Sequence, residues 1–475
     1  MRPAVGSAIP LVFLAFLSLL PLACDDDGAV ETPKATAFYA AYAEVDVTPP
    51  DGTPMGAFGI PGGSRRTQGV HDPAMAQVTF FRNDLDQELV LVSVDTPGYF
   101  WDFGQWGPGI KQVRQAAADK VLALHGITMD PTSIIISSTH SHSAADLIGF
   151  WCPVDEGPDK DLLNDMLTKI SDAIAQAAGS LQPATVGFAH TEIVGLTDRD
   201  DDCCGGVIDN SVDIIHVLKQ DGQPLVTLAN YAYHPTKMGA DNHMVSADWI
   251  WGYRAEMLAN TGAPAMFLQG FEAAVHGGDG IPIEGDDDWE RCYYNGKIVA
   301  QAVQDALPTV TSTTTFDIEN RETYVNCVAE GELIKSGYWF FKVPKRFMTE
   351  VPEGPECEKD IGSFEFCIDI YIDEISTSWH RLGDAELAAF PGEGDPDYGL
   401  ALKSRMVLPF TFALGLANDS LGYFIHPDSL ANDTSGRLQE YEIQMGLGAP
   451  GGPCVWAGQE TLGWFNGAWR NPVTK

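Results

Sequence analysis

The segment Ile134-Ile135-Ile136-Ser137-Ser138-Thr139-His140-Ser141-His142-Ser143 constrains this chain more than any other, because three β-branched residues run straight into a Ser/Thr/His cluster. Such a run favours a buried strand, and the polar cluster marks its mouth. Side chains alternate faces along a strand, so His140 and His142 point the same way if the extended conformation persists through Ser141. A second apolar stretch, residues 225–232, leads in the same manner into His234-Pro235-Thr236. Imidazole is a common zinc ligand, and strand ends are where α/β enzymes build their sites. One such histidine is more simply explained by a hydrogen bond to nearby backbone. Three of them at the ends of two buried strands favour a metal.

The beginning of the chain reads as an export signal. Met1-Arg2-Pro3 supplies a positive start, and residues 8–22 form an apolar run too short to span a membrane comfortably. Leu20-Pro21-Leu22-Ala23-Cys24, followed by three aspartates, resembles a bacterial lipoprotein cleavage site with Cys24 as the lipidated residue, although Pro21 departs from the usual aliphatic. Ordinary secretion is the alternative. The expected organisation is therefore a signal peptide over residues 1–23, a tether over 24–36 and one domain over 37–475. The protein would be lipid-anchored at the periplasmic or outer surface, or else secreted. Export also decides how the cysteines are read: apart from Cys24 there are Cys152, Cys203, Cys204, Cys292, Cys327, Cys357, Cys367 and Cys454, an even set in a compartment where disulfides persist.

With 475 residues, 45% of them hydrophobic and 20% charged, the chain can bury a large core. Its formal net charge of −38 argues against nucleic acid or an anionic lipid surface as a partner. Acidic clusters at residues 25–27, 198–202 and 286–288 are solvated loops or, at the second or third, a calcium site, since hard cations want several carboxylate oxygens. Strands are expected at 42–47, 76–81, 88–94, 134 onward, 184, 212, 225 and 265–268, with helices at 110–124, 161–178, 249–259 and 294–306. This alternation gives α/β layers. Residues 311–375, rich in aromatic and β-branched types, suggest an antiparallel addition, so the predicted fold class is α/β with mixed β-sheets layered with helices in a single large domain.

Several elements then fall into the order of a known family. Thr139-His140-Ser141-His142-Ser143 resembles the T-H-T-H-S element of the neutral ceramidases, and Gly69-Val70-His71-Asp72-Pro73 resembles their early G-[IV]-H segment. Asn230-Tyr231-Ala232-Tyr233-His234-Pro235-Thr236 is similar to the second histidine motif, and Val245-Ser246-Ala247-Asp248 to the S-A-D element that follows it. Residues 263–270 look like the G-A-P-A-x-F-L-Q-G strand, Pro391-Gly392-Glu393 like P-G-E, and Leu416-Ala417-Asn418 with Gly422-Tyr423 like the tyrosine motif. The matches are collinear from about Ala43 to Glu442, and that order is the strong signal.

The resemblance implies one zinc ion held by His140, His234, Glu393 and Tyr423. It implies that His142 and a later tyrosine, for which Tyr441 stands, assist catalysis. Arg199, in Thr197-Asp198-Arg199-Asp200, resembles an arginine segment of the family that could grip a polar group of the substrate; a salt bridge to the adjacent aspartates is the alternative. Two departures accompany the match. Where the family has a G-D-V-S-P-like turn with a serine at the zinc, this chain reads Phe271-Glu272-Ala273-Ala274-Val275-His276-Gly277, so that His276 takes the serine's place as a further ligand, a proton shuttle or a turn residue. Only 34 residues follow Tyr441, so the family's C-terminal immunoglobulin-like domain is not expected here. Access to a membrane lipid would then depend on an anchor at Cys24 or on apolar loops. Phe100-Trp101-Asp102-Phe103-Gly104-Gln105-Trp106 and Phe150-Trp151 would line such an entrance or pack in the core.

The expected function is an exported, zinc-dependent amidohydrolase that cleaves an N-acyl bond of a ceramide-like or other lipid or small amide by metal-activated water. The alternatives are a non-catalytic exported protein binding a metal or ligand on the same fold, or a hydrolase of an ester, lactone or sugar. Calcium is a further candidate cofactor.

Overall fold

The computed structural model describes residues 33–58, 63, 65–153, 157–199, 207–329, 348–352 and 368–426, and in it the apolar runs become strands whose two faces bury against different partners. In chain order the elements begin with β1 (Phe38–Asp46), β2 (Met75–Asn83), β3 (Glu88–Val94), α1 (Ile110–His125), β4 (Ile134–Ser138) and α2 (Lys160–Gly179). There follow β5 (Gln182–Glu192), β6 (Thr197–Arg199), β7 (Ser211–Lys219), β8 (Pro224–Tyr231), α3 (Trp249–Thr261), β9 (Ala265–Gln269), β10 (Val275–Gly277) and α4 (Asp288–Ala306). The last are β11 (Thr311–Ser312), β12 (Ile318–Ala329), β13 (Met348–Pro352), β14 (Ile368–Leu382), β15 (Ala385–Ala389), β16 (Glu393–Gly394), α5 (Pro396–Lys403), β17 (Phe410–Leu414) and β18 (Tyr423–Phe424). The described residues from Ala35 onward form one compact unit.

The main sheet runs β4-β3-β2-β1-β5-β7-β8-β9, with β11 added to β5; β3/β4 and β8/β9 are parallel pairs and the other neighbours on this path antiparallel. Its two end strands come back toward each other. Ser93 Oγ donates to Phe267 O at 2.6 Å and Gln77 Nε2 to Ala265 O at 3.0 Å, so the β3/β2 region lies against β9. The carboxyl ends of β4, β8 and β9 consequently open onto one place.

Alternation sorts the core. Along β3 and β4, Val90, Val92, Val94, Ile134 and Ile136 face α1 and α2, while Leu89, Leu91 and Ile135 face the second sheet. At the other end of the main sheet Ile214, Ala229 and Phe267 pack on α3 and α4. The second sheet, β12-β14-β15-β17 with β13 on β14, is antiparallel except for the parallel β15/β17 pair. Helices, main sheet and second sheet thus make the expected mixed α/β layers. The antiparallel addition predicted for 311–375 is present and extends through β15 and β17.

Helix α4 starts at Asp288 rather than at 294, because the Asp287 carboxylate caps it by accepting from the Glu290 amide at 2.9 Å. An apolar pattern begins only after that capped turn. The acidic cluster at 286–288 thus serves the start of a helix, with Asp288 also paired to Arg291. Phe100, Trp101 and Phe103 lie in the core beside α1, so they do not line an entrance. Phe150 and Trp151 form a separate small cluster with Ala57. Disulfide pairing of all eight cysteines does not hold at Cys292, which is a buried free thiol. Cys203, Cys204, Cys357, Cys367 and Cys454 lie outside the described residues, as do Cys24 and the signal segment.

Candidate metal centre

Strand β4 ends at Ser138, and the residue that matters next does not continue it: His140 has φ +68°, a left-handed conformation unusual for a side chain of this size. The extended path expected through Ser141 is therefore absent. The turn nevertheless brings His140 and His142 together, with their Nε2 atoms 3.1 Å apart. The His140 amide is fixed to Thr96 O and the His142 amide to Pro235 O, which ties this turn to the His234 loop. His140 and His142 face one cavity because of a strained turn and not because of strand alternation.

His234 follows β8. Its Nδ1–H donates to Glu272 O at 2.9 Å and Val275 O at 3.2 Å, and the Nδ1–H of His140 donates to Pro97 O. A carbonyl only accepts, so these contacts set both rings with an unprotonated Nε2 turned inward, the tautomer a metal ligand needs. The loop after His234 is fastened by Asp248, whose carboxylate accepts from the amides of Lys237, Met238 and Trp249 at 2.8–3.0 Å. Asp72 in turn accepts from Ser246 Oγ and the Ala247 amide. The motifs around His71 and Ser246 thus act as supports for the histidine loop.

Glu393 begins β16, which lies parallel to β18 so that Glu393 and Tyr423 are register neighbours. Its Oε2 stands 3.2 Å from His140 Nε2 and 3.3 Å from His234 Nε2. Donor atoms of His140, His142 and His234 lie within 4.8 Å of one another, and so do those of His140, Glu272 and Glu393, all of them buried. Three of the four ligands implied by the sequence motifs therefore converge, and the fourth, Tyr423, pairs with Glu393 through the backbone.

Whether the residues fit a metal is decided by their unmet polar atoms. His234 Nε2, Glu393 Oε2 and both oxygens of Glu272 are buried without a hydrogen-bond partner in the structure. Buried groups of this kind are costly unless something supplies the missing contact, and a dication at their common point would do so. The electrostatics agree. Burial alone would raise the Glu393 carboxyl, but the facing His140 and His234 hold it well below the usual carboxylate range. Burial would lower His140, and Glu393 outweighs it and raises that imidazole. His234 is lowered, chiefly by burial. His142 falls well below its ordinary value through burial and the neighbouring His140 and His234, which favours its neutral form.

His276 is not a turn residue. It pairs with Asp198 across the β10/β6 ladder, with its ring 5.2 Å from that of His234, and it does not join the converging donors. Arg199, in β6, is buried with its terminal nitrogens 3.3 Å from both oxygens of Asp395 and 3.0 Å from Val207 O. Its guanidinium thus pairs with Asp395, two residues past Glu393, while Asp200, Asp201 and Asp202 lie outside the described residues. Tyr441 lies outside the described residues.

Two features escaped the sequence reading. Glu272 sits at the centre, and the only trace of it is an acid inside the otherwise apolar stretch Gly270-Phe271-Glu272-Ala273-Ala274-Val275. Arg65 donates to His142 O at 2.8 Å and Gly56 O at 3.1 Å and lies over Phe58, which packs edge-on against His142. Burial pulls the Arg65 guanidinium down to about 10. No sequence motif marks it.

No family model and no curated protein sequence matches the chain. Solved ceramidase structures share its fold. The neutral ceramidase from Pseudomonas aeruginosa matches with a TM-score of 0.68 and 16% identity, over 92% of this chain and 76% of that one. A ceramidase complexed with C2 matches with a TM-score of 0.69 and 15% identity, over 91% and 75%. The chain therefore has a neutral-ceramidase-like α/β fold.

Proposed function

We propose that this chain, a neutral-ceramidase-like fold with buried histidine and glutamate donors at one point, is a metal-dependent amidohydrolase that cleaves N-acyl bonds of a lipid-like or small amide. The observation that carries the proposal is the convergence of His140, His234 and Glu393 on one point, with buried polar atoms there that have no hydrogen-bond partner. His140, His234, Glu393 and Tyr423 are the residues that would hold the ion, with zinc as the proposed metal. When bound, such an ion polarises a carbonyl and lowers the pKa of water toward neutrality.

The rest of the chemistry belongs to the chain. His142 lies beside the point where the donors converge, its Nε2 3.1 Å from His140 Nε2, so it would serve as the general acid–base group for the attacking water and the leaving nitrogen. Arg65, fixed through its contacts to the His142 and Gly56 carbonyls, holds His142 in place from behind. Tyr441 is proposed to stabilise the oxyanion, His276 to pass protons from solvent to His234's side of the site, and Arg199 to position the Glu393 loop through Asp395 or to meet a polar group of the substrate. Export on the signal segment and lipidation at Cys24 complete the proposal; no helix among the described residues is long and apolar enough to cross a membrane.

The test is a panel of fluorogenic N-acyl amides of graded chain length, run with the wild type and with His142→Gln. Hydrolysis by the wild type that falls by roughly 10²–10⁴-fold in the variant supports the reading. A zinc-loaded wild type that cleaves no amide in the panel overturns it.

A further inference from the structure

We propose that Glu272 is an additional ligand of the metal ion, so that a second carboxylate joins Glu393 and the other donors implied by the sequence motifs. The inference rests on the metal centre proposed above and adds a residue to it. Glu272 follows β9 by three residues and has no exposed surface. Neither of its carboxylate oxygens has a hydrogen-bond partner in the structure, and its donor atom lies within 4.8 Å of those of His140 and Glu393.

Charge makes the case stronger. A donor oxygen of Glu272 lies within 4.8 Å of one of Glu393, a carboxylate of like sign. Two adjacent carboxylates withdrawn from water are costly to keep ionised unless a cation joins them. No lysine or arginine among the described residues pairs with Glu272, and a dication between the two acids meets both demands at once.

The backbone is arranged to hold this side chain there. Glu272 O accepts from His234 Nδ1 and, at 2.8 Å, from the Val275 amide, while the Ala273 amide donates to Gly394 O at 3.1 Å, beside Glu393. Ala274 completes the turn at φ +57°. A Cβ on Gly415 would stand 3.0 Å from Glu272 Oε2 and 2.0 Å from Gly270 O, so the glycine there leaves room for the carboxylate. One residue thus orients the His234 ring through its carbonyl and offers its own carboxylate to the same ion. A donor set with two carboxylates is harder than a four-coordinate zinc site and favours an ion that takes about five or six ligands, such as Mn²⁺ or Fe²⁺, more than a three-histidine site would.

The experiment measures Zn²⁺ and Mn²⁺ dissociation constants by chelator competition for the full chain as wild type, Glu272→Gln and Glu272→Asp, together with melting temperatures of the metal-free forms. Glu272→Gln is expected to weaken binding at least tenfold, more for Mn²⁺ than for Zn²⁺, with Glu272→Asp intermediate. Metal-free Glu272→Gln is expected to melt no lower than the metal-free wild type, whereas a purely structural carboxylate would lower it. Unchanged affinity in Glu272→Gln, with or without lost turnover, overturns the inference and leaves the metal centre standing. A wild type that binds neither ion overturns both. Should Glu272→Gln fail to fold, Glu272→Asp decides: metal affinity weakened severalfold supports the inference, and unchanged affinity contradicts it.

Discussion

His140 shows how much of this site depends on a single backbone torsion. A left-handed histidine at φ +68° is strained by about 1–3 kcal/mol, and it persists because Pro97 O, Thr96 O and the Glu393 carboxylate hold ring and amide together. His140→Ala is therefore expected to abolish tight metal binding, by roughly 100-fold or more, while its metal-free form melts close to the wild type. Metal titration of the two proteins checks this. His142 stands in a different position: Phe58 and Arg65 fix it from outside, and Nδ1 has no partner. His142→Gln should keep the metal within a few-fold while turnover collapses, measured by parallel metal affinity and kcat. Loss of the metal in this variant would make His142 a ligand instead of a proton carrier. The sequence marked both histidines but not the turn that joins them, because strand alternation and a left-handed turn predict the same juxtaposition from the same letters.

At the scale of elements, the site is where the ends of separate strands meet. Strands β4, β8 and β9 deliver His140, His234 and Glu272, while the β16/β18 pair brings Glu393 beside Tyr423. The strands themselves were legible from their apolar runs. The closing of the sheet on itself was not, since it rests on contacts such as Ser93 to Phe267 between residues far apart in the chain. Asp248 illustrates a supporting element. It caps α3 and holds two further amides of the His234 loop, so Asp248→Ala is expected to cost more than the ~1 kcal/mol of an ordinary cap and to weaken metal binding through loosening of that loop. Thermal melts and metal titration read the two effects separately.

The second sheet has its own pH response. His380 in β14 is fully buried, hydrogen-bonded to Asn320 and Ser378, and burial pulls its pKa down to about 3. The unfolded chain binds that proton near 6.5, so between pH 6.5 and 3 the unfolded state holds more protons and stability falls as the pH falls. The slope from this group reaches up to about 1.4 kcal/mol per pH unit. His380→Gln should flatten this acid limb in denaturant titrations between pH 6 and 4. An unchanged limb would show that His380 is protonated in the fold.

The whole molecule carries a formal charge of −38 that the site does not require. Self-repulsion of that size opposes compaction and is screened by salt, so the melting temperature should rise between 0.02 and about 0.5 M NaCl. A flat dependence would mean that the acids are already neutralised by pairing. Fold class was legible across the chain because the apolar runs mark the strands and helices, although identity to the matched structures of the same fold is only 15–16%. Glu272 and Arg65 were not, since their roles come from burial beside Glu393 and His142, which no local pattern records.

The central claim is that the buried histidines and glutamates form a metal centre. The most direct test is elemental analysis of the purified chain after exhaustive desalting, with His140→Ala/His234→Ala as the control. The account predicts close to one transition-metal dication per wild-type chain and almost none in the double variant. A folded wild type with no bound metal, and none taken up when Zn²⁺ or Mn²⁺ is supplied, would contradict it.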